Sequence, residues 1–199
     1  MPENLTKIET CAFEGCKSLT GITLPESLTN IGIWAFASCD SLTNITMPKD
    51  IQRIGNNAFS SSGLKSVILE EGITKIDDQA FEGCKNLASI TIPDSVTSIG
   101  YAAFEGCSSL TNIIIPNSVT QIGVEAFYNC NNLTDIIIPD SVTRIGNSAF
   151  YKCSSLINVI LPNAITEIEG AMFAHCTSLK SVTIPNSVNL SLIHISEPT

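Results

Sequence analysis

Basic residues are scarce in this chain of 199 residues: ten Lys and Arg face 19 Asp and Glu, for a formal net charge of −9. The ten are scattered along the sequence, so neither a nucleic acid nor an anionic membrane is expected as partner. Charged residues of both signs amount to only 15%, against 44% hydrophobic, which excludes a disordered polyelectrolyte. No apolar run approaches the roughly 18–20 residues that cross a bilayer, and the first residues do not read as a charged-then-apolar leader, so membrane insertion is not expected. Histidine is reduced to His175 and His194, neither beside an acidic cluster that would make a metal site or a nucleophile–base pair. The sequence lacks G-x-x-x-x-G-K-[ST], G-x-G-x-x-G, G-x-S-x-G and C-x-x-C. Catalysis, a cofactor and a metal are therefore not expected.

What the chain has is a repeat. Phe13, Phe36, Phe59, Phe81, Phe104, Phe127, Phe150 and Phe173, preceded by Ala in all but the last (Met172), stand at steps of 23, 23, 22, 23, 23, 23 and 23 residues. Three residues after the phenylalanines stand Cys16, Cys39, Cys84, Cys107, Cys130, Cys153 and Cys176; in the third unit Ser60-Ser61-Ser62 takes that place. A leucine column runs from Leu19 to Leu179 in the same register. Within one unit, Leu110, Ile113 and Ile115 end in the alternation of a short strand, and Pro116, which cannot donate to a ladder, stops it. Val119, Ile122, Ala126, Phe127 and Cys130 then fall at helix-like spacing, predicting a short helix or 3-10 turn. The glycine after the isoleucine (Gly32, Gly55, Gly100, Gly123, Gly146) suggests a turn of positive φ, which Asp77 and Glu169 break.

One such unit cannot bury its apolar columns alone, but stacked units share them. The expected fold is an α/β solenoid of about eight 23-residue coils, with one parallel sheet on the concave face and short helices or 3-10 turns on the convex face. Strands are expected near residues 21–24, 44–47, 66–69, 89–92, 112–115, 135–138, 158–161 and 181–184.

The unit from Leu110 to Cys130, L-x-x-I-x-I-P-x-S-V-x-x-I-G-x-x-A-F-x-x-C, resembles the BspA-type (Treponema-pallidum-type) leucine-rich repeat, and the resemblance covers residues 1–188. It departs in the third unit, which lacks the cysteine and has Glu70 in place of the proline. The resemblance implies a cell-surface or secreted protein with a role in adhesion or protein binding. Its partner would be a protein of a host or neighbouring-cell surface or matrix. Two rivals are a structural spacer or stalk of coils and an intracellular protist scaffold. Because Pro2 stands one period before Pro25, the chain is expected to open mid-repeat, as a fragment of a longer protein. Residues 189–199 are read as a divergent tail: Ser191–Thr199 resemble a translated sequencing adapter, the alternative being a genuine end.

The column cysteines are expected to be buried free thiols, with Cys11, in the variable column of Trp34, Asn57 and Glu125, as the most reactive. Tyr128 and Tyr151 occupy equivalent places in neighbouring coils and are expected to stack. The outward strand positions are the candidate site. Ile114, Ile137 and Ile160 form an apolar ridge where other coils mostly carry Thr, bordered by Asn112, Asp135 and Asn158 and rimmed past the prolines by Asn117, Asp140 and Asn163. A basic or neutral protein segment suits such an acidic chain better than a polyanion.

Overall fold

The computed structural model describes residues 1–188, so the reading of 189–199 lies outside the described residues. Thirteen short strands follow in chain order. They are β1 (Lys7–Ile8), β2 (Asn30–Ile31), β3 (Arg53–Ile54), β4 (Ser66–Ile68), β5 (Lys75–Ile76), β6 (Ser89–Thr91) and β7 (Ser98–Ile99). After them come β8 (Asn112–Ile114), β9 (Gln121–Ile122), β10 (Asp135–Ile137), β11 (Arg144–Ile145), β12 (Asn158–Ile160) and β13 (Ser181–Thr183). Every pairing is parallel and joins residues one repeat apart, such as Ile114 with Ile137 and Ile137 with Ile160. The product is a β-solenoid of about eight coils.

The strands form two sides rather than one. The expected sheet is built by β4 and β6, then by β8, β10, β12 and β13, and the two groups are not hydrogen-bonded to each other. Residues 44–47 contribute only a single bridge, Asn44 to Ser66, and residues 21–24 form no strand. In that first coil Gly21 occupies the outward position that β-branched or polar residues fill elsewhere, and glycine is a weak strand former. A second side joins β1, β2 and β3, then β5, β7, β9 and β11, at the two residues before the glycine column.

The described residues contain no helix, which corrects the expectation for the convex face. In the stretch after Ile122 the N–H groups alternate between two kinds of partner. Glu125, Phe127 and Asn129 donate to Asn147, Ala149 and Tyr151 of the next coil at 3.0, 2.8 and 2.7 Å. Ala126, Tyr128 and Cys130 donate back to Gly123, Glu125 and Phe127, closing tight turns within the coil. Alternate residues therefore stitch coil to coil, which an α-helix, with all its N–H groups turned inward on itself, cannot do.

Positive φ is also present, but not at the predicted glycines. It falls two residues later, at Cys11, Trp34, Asn57, Gln79, Ala102, Glu125, Ser148 and Ala171 (φ 47 to 58°), and again four residues on, from Gly15 to His175 (φ 55 to 69°). The glycine column serves close approach instead: a Cβ on Gly123 would lie 2.5 Å from the backbone C and O of Gly100. Where Asp77 and Glu169 replace that glycine, the second side breaks between β3 and β5 and ends after β11.

Inside, the phenylalanines stack ring on ring from Phe13 to Phe173, with centroids 5.1 to 5.7 Å apart and planes within 10°. Phe36 through Phe150 are fully buried, as are the Leu column from Leu42 to Leu156 and the alanines before the rings. Where a serine stands two residues past the proline it ties its coil to the one before: Ser95 and Ser118 Oγ donate to the Ile73 and Val96 carbonyls at 2.6 Å.

Candidate functional site

Strand parity positions the candidate residues. In β8, β10 and β12 the middle residue (Ile113, Ile136, Val159) points into the core, so its two neighbours point out. Ile114, Ile137 and Ile160 are 82%, 80% and 68% exposed, unusual for large aliphatic side chains. The ladder register sets them side by side, and with strands about 4.8 Å apart they make a ridge roughly 10 Å long. The same register aligns Asn112, Asp135 and Asn158 along one flank. Ser181 extends that row, its hydroxyl donating to Asn158 Oδ1 at 2.7 Å.

Past the prolines, Asn117, Asp140 and Asn163 are exposed in successive coils. Asn163 donates through its backbone N–H (3.0 Å) and its amide (3.3 Å) to Asp140 Oδ1. All nine candidate residues thus share one face. A depression of about 520 Å³ beside Ile114 carries this face into the fourth coil, through Ile92 and Asp94, which were not among the candidates. Asp94 shares a sequence column with Asn117 and Asp140, and that was the signal available for it.

The charge pattern divides the molecule. In coils four to seven, neither the outward strand positions nor the rim carry Lys or Arg, whereas Asp94, Asp135 and Asp140 lie there. Lys7, Arg53, Lys75 and Arg144 instead share one column on the second side, an alignment hidden by their separation in sequence. Three of them pair with acids: Lys7 with Glu9 (2.9 Å), Arg53 with Asp77 (3.4 Å), and Lys75 with Asp77 (3.4 Å).

The turns carry a smaller opening of about 250 Å³, lined by Asp40, Ser61, Gly63 and Lys85. Tyr128 and Tyr151 stack at 4.9 Å, His175 meets Tyr151 edge-on at 5.0 Å, and Lys152 Nζ sits 5.4 Å from the Tyr151 centroid. The rings already hold a cation of their own chain. Among the described residues no group of three or more His, Cys, Asp or Glu could hold a metal ion.

The cysteines are free. From Cys39 on, each column thiol donates to the phenylalanine carbonyl of the preceding coil, as Cys130 does to Phe104 at 3.2 Å and Cys153 to Phe127 at 3.1 Å. In the third coil Ser62 stands in the column, 3.3 Å from Cys84 Sγ. Burial pushes the thiols up, Cys84 to about 11 and Cys153 to about 12, which suppresses the reactive thiolate. Cys16 differs, for its thiol is exposed. Cys11 is exposed as expected, but its hydrogen bond to Glu14 raises its thiol as well. Native protein should therefore label with a maleimide at Cys11 and Cys16, and unfolded protein at all eight cysteines, with mass spectrometry giving the count. Rapid native labelling of Cys107 or Cys130 would contradict this packing.

Comparison with known proteins supplies the context. A family model described as the BspA type leucine-rich repeat region matches in six copies, over residues 1–110 and 74–191. A leucine-rich repeat protein of Bacteroides ovatus superposes with a TM-score of 0.59 at 26% identity, covering 95% of this chain and 73% of its own. The T. pallidum leucine-rich repeat protein gives 0.55 at 28% identity, over 92% and 64% of the two chains. A leucine-rich cell surface protein of Faecalibacterium prausnitzii gives 0.53 at 27% identity, over 92% and 78%. A search of curated proteins finds no match.

Proposed function

The chain belongs to the BspA-type leucine-rich repeat family, and from that premise we propose that it is a protein-binding module of a cell-surface or secreted protein, engaging its partner through the strand face of coils five to seven. Proteins of this repeat type typically bind other proteins rather than catalyse reactions. The observation that carries the reading is the exposed ridge of Ile114, Ile137 and Ile160. Leaving three large aliphatic side chains in water forgoes about 1.5 kcal/mol or more each, relative to burying them. Four of the other coils avoid that with Thr23, Thr46, Thr91 and Thr183, and the third carries a single exposed Ile68 with Thr on both sides, so only coils five to seven build a continuous strip. An apolar strip bordered by Asn112, Asp135 and Asn158 and rimmed by Asn117, Asp140 and Asn163 has the layout of an interface core inside a polar rim.

The ridge stands on short hydrogen-bonded strands, so a partner meets side chains ordered before binding, which lowers the entropic cost. A matrix or cell-surface protein is the proposed partner, and adhesion the proposed role. The description of the Faecalibacterium relative as a cell surface protein supports the location.

The test is the triple substitution Ile114→Thr/Ile137→Thr/Ile160→Thr, assayed against a panel of immobilised extracellular-matrix proteins. Thr is β-branched and already fills this column elsewhere, so the fold and melting temperature should be kept. Binding should weaken at least about tenfold, because the apolar area covered by a partner is reduced. Unchanged affinity for every bound protein would favour the spacer reading, in which the coils only hold other parts of a protein apart.

A further inference from the structure

The ladder of the strand face is interrupted between coils four and five. β6 and β8 lie side by side but belong to separate hydrogen-bonded sheets. The depression of about 520 Å³ lies beside this seam, lined by Ile92, just past β6, and by the projecting Ile114 and Ile137 of β8 and β10. Asp94 and Asp135 stand at its two ends, one beyond the proline of coil four and the other at the start of β10 in coil six. Among the described residues neither carboxylate takes part in an ion pair or a side-chain hydrogen bond, whereas Asp140 is engaged by Asn163 and Asp77 by Arg53 and Lys75. Two free carboxylates therefore face solvent across an apolar lining that carries no cation of its own.

Five residues along the chain direction and two coils across place the two acids roughly 15–20 Å apart. An extended polypeptide spans that distance in about six residues. We propose that the depression seats an extended peptide segment of the partner, with lysine or arginine at both ends and an aliphatic or aromatic side chain between them over Ile114 and Ile137. One cation pairs with Asp94 and the other with Asp135, and the Asn112 amide is placed to bond the segment's backbone. This rests on the reading of the strand face as the binding surface, and it adds the chemistry of the partner. Charge complementarity decides the occupant: an acidic peptide or a polyanion would bring like charge to both ends of the trough, in a chain of net charge −9.

The experiment is selection of random twelve-residue peptides displayed on phage against the whole chain, with the winners resynthesised and titrated. The expected winners carry two Lys or Arg five to seven positions apart, with an apolar residue between. Asp94→Asn/Asp135→Asn should weaken them tenfold or more and reduce their salt dependence. Glu14→Gln/Glu167→Gln, which also moves the net charge from −9 to −7 at exposed sites elsewhere, should leave them unchanged. Winners that lose binding to the triple Ile→Thr chain but ignore the Asp pair would overturn the cationic segment and leave the strand face standing. Winners indifferent to both sets of changes would overturn both readings. Failure to select any peptide, or selection of acidic ones, would overturn the cationic segment.

Discussion

Phe127→Ala is expected to destabilise the solenoid by about 3–5 kcal/mol, the range for deleting a fully buried aromatic side chain. The ring of Phe127 lies between two others, 5.4 Å from Phe104 and 5.5 Å from Phe150, so its loss leaves a gap in a continuous stack. Coils contact only their neighbours, and no distant part of the fold can compensate. The loss should appear in urea unfolding as a large fall in midpoint. It can also divide one transition into two, because coils one to five and coils seven and eight would be joined through a defective junction. Phe13→Ala should cost much less, since that ring is partly exposed and has a stacked neighbour on one side only. A loss below about 1 kcal/mol for Phe127→Ala would mean that the rings do not form the core.

The second large effect is expected from a single methyl group. Gly123→Ala would place a Cβ 2.5 Å from the Gly100 backbone, and Gly146→Ala one 2.4 Å from the Val124 nitrogen. Neither obstacle is the end of a flexible side chain that could swing aside, so the coils themselves must separate. Overpacking of this kind costs about 1–3 kcal/mol, at the upper end or beyond where backbone has to move. Gly21→Ala provides the contrast. Its Cβ would meet no heavy atom within 4 Å, so thermal unfolding should show no loss, or a gain of about 0.4–1 kcal/mol from a stiffer unfolded chain. If Gly123→Ala proved as harmless as Gly21→Ala, the close approach of coils along this column would be refuted.

These two residues also mark how far the sequence could be read. The period, the family and the inward columns were legible, because a residue such as Phe127 recurs at the same place in every coil and only a stacked core explains that. The convex side was misread as helical. Val119, Ile122, Ala126, Phe127 and Cys130 satisfy helical spacing, but they equally suit a two-residue strand followed by tight turns. The choice is made by the bonds that Glu125, Phe127 and Asn129 send to the next coil, and no single unit displays those.

The glycine column failed for a related reason. A recurrent glycine reports either positive φ or lack of space, and only the neighbouring coil reveals which. Positive φ went instead to a column of Cys, Trp, Gln and Glu, whose variability gave no hint of a shared backbone requirement. At the candidate site, strand parity was enough to foresee the exposure of Ile114, Ile137 and Ile160. The seam between β6 and β8, and with it the place of Asp94, depends on ladder bonds that the sequence does not encode visibly.

That the strand face of coils five to seven is the binding surface is tested most directly by amide hydrogen exchange, read by mass spectrometry with and without a bound matrix protein. Added protection should concentrate in fragments carrying Asn112 to Asn117 and Asp135 to Asp140. Fragments carrying the turns at Glu125 to Asn129 and Ser148 to Lys152, on the other side of each coil, should exchange as they do in the free chain. Protection confined to those turns, with the strands around Ile114 and Ile137 unchanged, would contradict the proposed surface.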